Sequence, residues 1–331
     1  MPRVSVVVPT YNNAQYIRQA LDSVFGQTFT DYEIIVVDDG STDETHRELE
    51  SYGRRIRYHR QDNGGLAVAR NTGMRLANGD LLTYLDADDV WERDNLLFKT
   101  SLLERHSDLG GVFSEFSIFD DRQTRHERGT RQMFPFFERT GRDLRHVLGT
   151  PRSAIVPDGR TVLARTGFAF DSLFWGNFIL PTSMIFRLEA ARAVGHFEPE
   201  LRTQQDYEYW LRFSKRYPLA YIDEPLVRYR RHPGQLTDHR RIENILVAVD
   251  RIIRQYDEEF EHAGRGDEYR RRLAGIKLEL AKVCLGQGRS GDARSHLLQC
   301  IKLAPGTLAA YLALFASLLP SGWLSAVRRW K

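Results

Sequence analysis

Two acidic clusters stand where apolar runs stop. In "EIIVVDDGSTDE", Glu33 to Glu44, an apolar run meets Asp38 and Asp39, and Gly40 turns the chain directly after them. In "LTYLDADD" a second run delivers Asp86, Ala87, Asp88 and Asp89. Paired carboxylates at such a place cap a helix, bind a metal or hold a ligand. Carboxylates at alternate positions, as in Asp86-Ala87-Asp88, can present both to one divalent ion. Mg²⁺ and Mn²⁺ favour oxygen ligands of this kind and share their shell with phosphates. The plainer reading is an acidic turn that caps the following helix.

The elements that must position these acids are legible in the apolar spacing. Val4 to Val8 is β-branched, unbroken and short, as expected of a strand buried on both faces, and it ends in Pro9-Thr10-Tyr11-Asn12. Ile17, Ala20, Leu21, Val24 and Phe25 recur at helical spacing. Tyr32 to Val37 predicts the second strand, Ser41 to Glu44 has capping-box spacing for a second helix, and Ile56 to His59 is a weaker strand. Gly65 to Ala77 predicts a helix with small residues on one side, and Leu81 to Leu85 another buried strand. Alternating strands and helices predict a parallel sheet covered on both faces. Ligands of such sheets sit beyond the carboxyl ends of the strands, where these three polar ends would gather.

After Trp91 the rhythm loosens. Glu92 to Arg105 reads as helix and Gly111 to Phe119 as strand, whereas Asp120 to Phe170 is rich in Arg, Gly and Thr and reads as a functional loop region. Pattern returns with a strand at Thr182 to Arg187, a helix at Gln205 to Tyr217 and extended chain at Tyr221 to Arg230. From Arg240 onward only helices are expected. The segment "LAKVCLGQGRSGDARSHLLQCIKLAPG" resembles one tetratricopeptide-type hairpin, with Gly288 at its turn, Ala293 at the tight packing position and Pro305 at its end. The expected division is 1–235 for the α/β domain and 236–331 for the helical region.

Composition narrows the classes. A chain of 331 residues with 42% hydrophobic and 27% charged residues is of ordinary globular make-up, and a net charge of +3 gives no case for nucleic acid. Cys284 and Cys300 have no metal-ligand spacing and fit a reduced, intracellular setting. The first residues show no cleavage-site pattern, and no stretch reaches the roughly 20 apolar residues of a membrane span. "TLAAYLALFASLL" is stopped by Pro320. No G-x-G-x-x-G follows the first strand, and the pattern G-x-x-x-x-G-K-[ST] is absent, so a nucleotide here would be held by acids, an aromatic and a metal.

Four ordered stretches, "VSVVVPTYN", "IIVVDDGSTDET", "GGLAVARNTGMRLANGDLLTYLDADD" and "QQDYEYWLR", resemble the family 2 glycosyltransferases of the GT-A fold over roughly residues 3 to 235. The resemblance implies a Rossmann-like, mostly parallel α/β sheet and an inverting, nucleotide-sugar-dependent transfer. It implies a nucleotide pocket lined by Pro9, Thr10, Tyr11 and Asn12, with Tyr11 stacking near the base. Asp39 would accept from the uracil N–H, as a pure acceptor suits an imide edge, with Asp38 close to base or ribose. Gly64 and Gly65 would let backbone approach the ligand, and Arg70 would face it. Asp86, Ala87 and Asp88 would be the Asp-x-Asp element, Asp88 as direct ligand of Mn²⁺ or Mg²⁺ and Asp86 toward the ribose or the metal's water shell. Asp206 falls at the general base, with Gln205 where Glu is commoner. His232 would close over the metal or diphosphate, beside Arg228, Arg230 and Arg231.

With these roles the expected reaction moves a sugar from a UDP-sugar to a hydroxyl of a saccharide or lipid-linked saccharide, in cell-surface polysaccharide or glycoconjugate synthesis. Residues 120–177 are the expected acceptor region. A cytoplasmic enzyme is expected, with the inner face of the plasma membrane as its station if the C-terminal "LLPSGWLSAVRRWK" acts through Trp323, Arg328, Arg329, Trp330 and Lys331 as a surface anchor. A helix terminus packed on the tail is the plainer account of that segment. A sugar nucleotidyltransferase and a non-catalytic scaffold of the same fold are the alternatives. The first lacks its Gly-rich basic loop after the first strand, and intact acids speak against the second.

Overall fold

β1 (Val4–Thr10) is buried along its whole length, which its run of valines permits. It pairs in parallel with β2 (Tyr32–Asp38) on one side and β4 (Leu81–Tyr84) on the other, and β3 (Arg57–Arg60) adds to β2. The computed structural model describes residues 1–120, 123–134, 137, 141, 143–233, 235 and 242–318. The chain divides into two compact units, 1–233 and 234–331.

In the first unit the crossovers are α1 (Ile17–Phe25), α2 (Thr45–Glu50) and α3 (Leu66–Leu76). α3 lies so close to β1 that a Cβ on Gly73 would come within 2.1 Å of Val7 Cγ1. That contact fixes the small-residue side of the helix. Beyond β4 the sheet is mixed. β10 (Met184–Arg187) runs antiparallel between β4 and β6 (Gly111–Phe119), and β6 pairs in parallel with β11 (Leu219–Arg230). The carboxyl ends of β1, β2, β4, β6 and β11 therefore point the same way. β5 (Val90–Trp91) pairs with β11, and β7 (Thr124–His126) with β6.

Three expectations change. The expected loop of 120–170 contains a hairpin, β8 (Thr150–Ile155) with β9 (Thr161–Gly167), and β9 extends the sheet by pairing with β11. Val162, Ala164 and Thr166 alternate inward there, but short and polar residues hide the period. The strand expected from Thr182 starts at Met184, after a 3₁₀ turn opened by Pro181. The capping box at Ser41 and Glu44 does not form: α2 begins at Thr45 with no side-chain cap bond from Glu44. Ser41 is engaged elsewhere, its amide on Asp38 and its hydroxyl accepting from the Asn12 amide.

Among its described residues the second unit has helices and no strands, over Ile242–Arg254, Asp257–His262, Gly266–Gly286, Ser290–Leu303 and Leu308–Leu318. Gly288 takes φ +77° between the 266–286 and 290–303 helices, a left-handed turn that favours glycine. Ala274, Ala281, Leu297, Cys300 and Ala310 form its buried cluster. Among the described residues no helix is long and apolar enough to cross a membrane. Pro320, Trp323, Arg328, Arg329, Trp330 and Lys331 lie outside the described residues.

Candidate functional site

The parallel register sets Thr10 beside Asp38, so the ends of β1 and β2 meet. Asn12 follows in a left-handed conformation, φ +53°, and its side-chain oxygen accepts from the amides of Thr42 and Asp43 at 2.8 and 3.3 Å. This staple holds the "PTYN" turn against the loop after β2 and leaves Tyr11 47% exposed, a ring accessible for stacking. Pro9 is buried, and so is Thr10, whose hydroxyl has no hydrogen-bond partner.

The adjacent acids at the end of β2 divide their work. Asp38 is wholly buried and accepts from the Ser41 amide at 2.8 Å, the Tyr58 hydroxyl at 2.7 Å and Arg60 at 3.1 Å. Burial opposes its ionisation, but the bonds from Ser41 and Tyr58 and the charge of Arg60 outweigh it and hold its pKa below the ordinary carboxylate range. Asp39 accepts from the amides of Gly64 and Gly65 at 3.0 and 2.7 Å and from Gln61 at 2.7 Å. Gly65 has φ +91°, and its amide points at the carboxylate from the start of α3. Each of the two acids already serves several protein donors.

A second constellation surrounds Arg70, which α3 presses into the core at 2% exposure. Its guanidinium donates to Asp86 Oδ1 at 2.8 Å and lies 5.8 Å from the ring centroids of both Tyr84 and Phe197. Burial works against the charge of Arg70, and the charges of Asp86 and Asp206 more than offset it. Its Nε is buried with no hydrogen-bond partner. Asp206 enters from the first turn of the 205–216 helix, after Gln204 in a left-handed conformation at φ +61°. Asn177 donates to Asp206 Oδ2 at 3.1 Å. Desolvation raises the Asp206 pKa above the usual range, and Arg70 only partly counters it. Asp206 is thus a more basic carboxylate than a surface aspartate, as a proton acceptor near neutral pH requires.

Asp88 stands apart from that group. Its carboxylate lies 3.0 Å from His232 Nε2, and the His232 ring packs 4.7 Å from that of Tyr16. His232 comes two residues after Arg230, the last residue of β11. The Arg230 amide donates to Asp89 Oδ1 at 3.0 Å and its Nε to the Asp88 carbonyl at 2.8 Å, and its guanidinium lies over Tyr16 and Phe119. Asp89 is 1% exposed, and its other oxygen has no partner. Burial, and then the charges of Asp88 and Asp86, push its pKa well up.

This donor set can be tested against Mn²⁺ or Mg²⁺. Adjacent ligands in an octahedral shell with bonds of about 2.1 Å are roughly 3 Å apart, and Asp88 and His232 are separated by 3.0 Å. The separation is compatible with two neighbouring ligands of one ion and is also that of the hydrogen bond between them, and the carboxylate oxygens are donors suited to Mn²⁺ or Mg²⁺. Asp86 is drawn toward Arg70, and among the described residues no three His, Cys, Asp or Glu side chains converge on one point. Ala87, between the two acids, is buried.

Of the residues singled out in the sequence, Arg70, Asp86 and Asp206 come together, as do Asp88 and His232, and Asp39 with Gly65. Arg228 lies over Phe119, and Arg231 lies over Tyr229 while remaining exposed. Sequence reasoning missed Asn177, Asp89 as a separate acid, and the bonds of Arg230 to Asp88 and Asp89. Asn177 lies in a stretch without period. The contact between Asp89 and Arg230 spans 141 positions, a pairing no local pattern reports.

Comparison with known proteins finds likenesses of sequence and fold. The family profile described as "Glycosyl transferase family 2" matches residues 5–155. An "Uncharacterized glycosyltransferase" of Rickettsia felis is 28% identical over 252 residues, covering 74% of this chain and 37% of that protein. The chain thus spans little more than a third of that relative's length. Among solved structures, Staphylococcus aureus TarS 1–349 in complex with UDP-GlcNAc aligns with a TM-score of 0.60 at 17% identity, covering 95% of this chain and 89% of that one. The mannosyltransferase PcManGT of Pyrobaculum calidifontis, in complex with GDP-Man and Mn²⁺, aligns with a TM-score of 0.54 at 20% identity, covering 99% and 83%.

Proposed function

We propose that the chain, whose residues 5–155 match the family 2 glycosyltransferase profile, transfers a sugar with inversion from a UDP-sugar to a hydroxyl of a saccharide or lipid-linked saccharide. The observation that carries this reading is the position of Asp206, a carboxylate of raised basicity held by Asn177 and sharing the charge of Arg70 with Asp86.

In this scheme Pro9, Thr10, Tyr11 and Asn12 line the nucleotide pocket, with the exposed Tyr11 ring stacking on the base. Asp39 and the Gly64–Gly65 amides form the edge that meets the pyrimidine, and Asp38 braces that edge through Arg60 and Tyr58. Asp86 addresses the ribose. Asp88 and His232 would hold the divalent ion, which when bound supplies charge neutralisation to the departing diphosphate. Asp206 takes the proton from the acceptor hydroxyl, whose oxygen bonds to the anomeric carbon as the bond to the diphosphate breaks on the opposite face. An α-linked donor would give a β-linked product. TarS with UDP-GlcNAc and PcManGT with GDP-Man and Mn²⁺ support the donor class and the cation by likeness of fold.

The acceptor side of the proposal rests on 120–177. A cavity of about 340 Å³, lined in part by Glu115, Arg128, Thr130, Phe137 and Tyr221, lies on β6 and β11 away from the strand-end acids. Phe137 packs 5.9 Å from Phe178, the neighbour of Asn177, which links this cavity to the Asp206 side. Its planar polar groups and two aromatic rings suit a sugar ring of an extended acceptor. Synthesis of a cell-surface polysaccharide or glycoconjugate in the cytoplasm is the setting these parts serve.

Release of nucleoside diphosphate from UDP-, GDP- and dTDP-sugars, with and without Mn²⁺ or Mg²⁺, tests the assignment. UDP-sugar turnover that a chelator stops is expected. Failure of all three donor classes with both cations would sink it.

A further inference from the structure

The last described helix, Leu308–Leu318, is apolar on every side, which is unusual for a helix at the end of a helical unit. One side is accounted for. Ala310 is buried in the cluster with Leu297 and Cys300, and Ala313 and Leu314 pack against it. The other side is not. Leu308, Tyr311, Leu312, Phe315 and Leu318 follow at helical spacing and are 69%, 43%, 63%, 66% and 62% exposed. They form one stripe with roughly 500 Å² of apolar surface, as large as the largest patch on a typical soluble monomer.

We propose that this stripe is a peripheral membrane-docking face that lies in the plane of an anionic lipid surface. It goes beyond the transfer reaction and does not depend on it. The charge pattern of the sequence that contains the helix selects the occupant. From Leu303 to Lys331 the sequence contains no Asp or Glu, and its charged residues are Arg328, Arg329 and Lys331, accompanied by Trp323 and Trp330. An apolar helix followed in sequence by aromatic and basic residues, without acids, has the composition of a segment that partitions into the headgroup region. Each basic residue near such a surface is attracted by anionic lipid. A second copy of the chain is the poorer occupant, because a standard interface buries about 800 Å² on each partner and the stripe offers less. Eleven residues are also too few to span a bilayer, so the helix would lie along the surface.

The full-length chain, sedimented with vesicles of phosphatidylcholine alone and of phosphatidylcholine with phosphatidylglycerol, tests this. Binding to the anionic vesicles is expected, falling at least tenfold in the Leu312→Asp/Phe315→Asp variant and weakening with salt. The Arg328→Gln/Arg329→Gln/Lys331→Gln variant should keep only salt-insensitive residual binding. A milder Leu312→Ser/Phe315→Ser variant, with helicity checked by circular dichroism, guards against misfolding of the first. No binding to anionic vesicles, or binding undiminished in both stripe variants, would overturn the proposal. So would a self-association in the ultracentrifuge that the stripe variants abolish, since a second copy would then cover the face. Donor hydrolysis without vesicles reports separately on the transferase reading.

Discussion

Arg70 and Asp86 form an ion pair at 2.8 Å in which the arginine is almost entirely buried and the carboxylate remains partly accessible. A cation so placed acts on two acids, because Asp206 also feels its charge. Replacing Arg70 by the similarly shaped Met removes that charge and leaves Asp86 and Asp206 to repel each other. Without the arginine that counters its desolvation, Asp206 ionises less readily, so its pKa rises further. The acidic limb of the kcat/KM profile should therefore move to higher pH, with Arg70→Lys restoring part of the shift. A limb that stays in place in Arg70→Met would uncouple this arginine from the base.

Asp88 and His232 make a separate prediction. Asp88→Ala should lose cation-stimulated turnover, and His232→Ala should raise the Mn²⁺ concentration for half-maximal activity by about tenfold or more. Manganese binding read by electron paramagnetic resonance gives the same comparison without turnover. Unchanged Mn²⁺ affinity in both variants would remove the pair from the metal site.

The contact of Gly73 with Val7 predicts a stability effect without a role in chemistry. A Cβ there meets Val7 Cγ1 at 2.1 Å, on a strand buried on all sides, so neither element can yield cheaply. Gly73→Ala should cost about 1–3 kcal/mol, as overpacking of a well-filled core does. Urea unfolding measures it, and a stabilised variant would show that the gain in helix propensity wins instead.

Asp38 predicts a pH dependence of stability. Its pKa is lowered in the folded chain, so its ionised form stabilises the fold at neutral pH. That contribution is fully present above the unfolded carboxylate pKa of about 4 and is lost as the pH falls through the lower folded value. Asp38→Asn should therefore lower stability at pH 7 and differ less from the native chain in strong acid. Thermal unfolding at both ends of the range checks the sign.

The first part of the fold was legible because its signals are local. The valines of β1, the spacing of Ile17, Ala20, Leu21 and Val24, and the glycines around α3 each act within a few residues. The hairpin β8–β9 was not, since its inward positions are small or polar and its stability comes from pairing with a distant strand. The site divided in the same way. Acids at strand ends announce themselves, but their partners do not. Nothing near Asp38 indicates that Tyr58 and Arg60 will occupy it, and Asn177 reaches Asp206 across 29 positions of sequence that include β10. The departure at Gln205 is likewise local in sequence. In the fold its side chain is buried and its amide oxygen has no partner, leaving Asp206 as the carboxylate that reaches the site.

Asp206→Asn examines the central assignment most directly. Its raised pKa means that the ionised carboxylate is held against a cost of burial, so the neutral amide should not destabilise the chain, and melting should occur at the same or a higher temperature. Donor affinity, measured by calorimetry with UDP and Mn²⁺, should be retained. Sugar transfer to acceptor should fall by roughly 10²–10⁴-fold, the usual contribution of a general base. Full transfer by a folded, donor-binding Asp206→Asn enzyme would contradict the account.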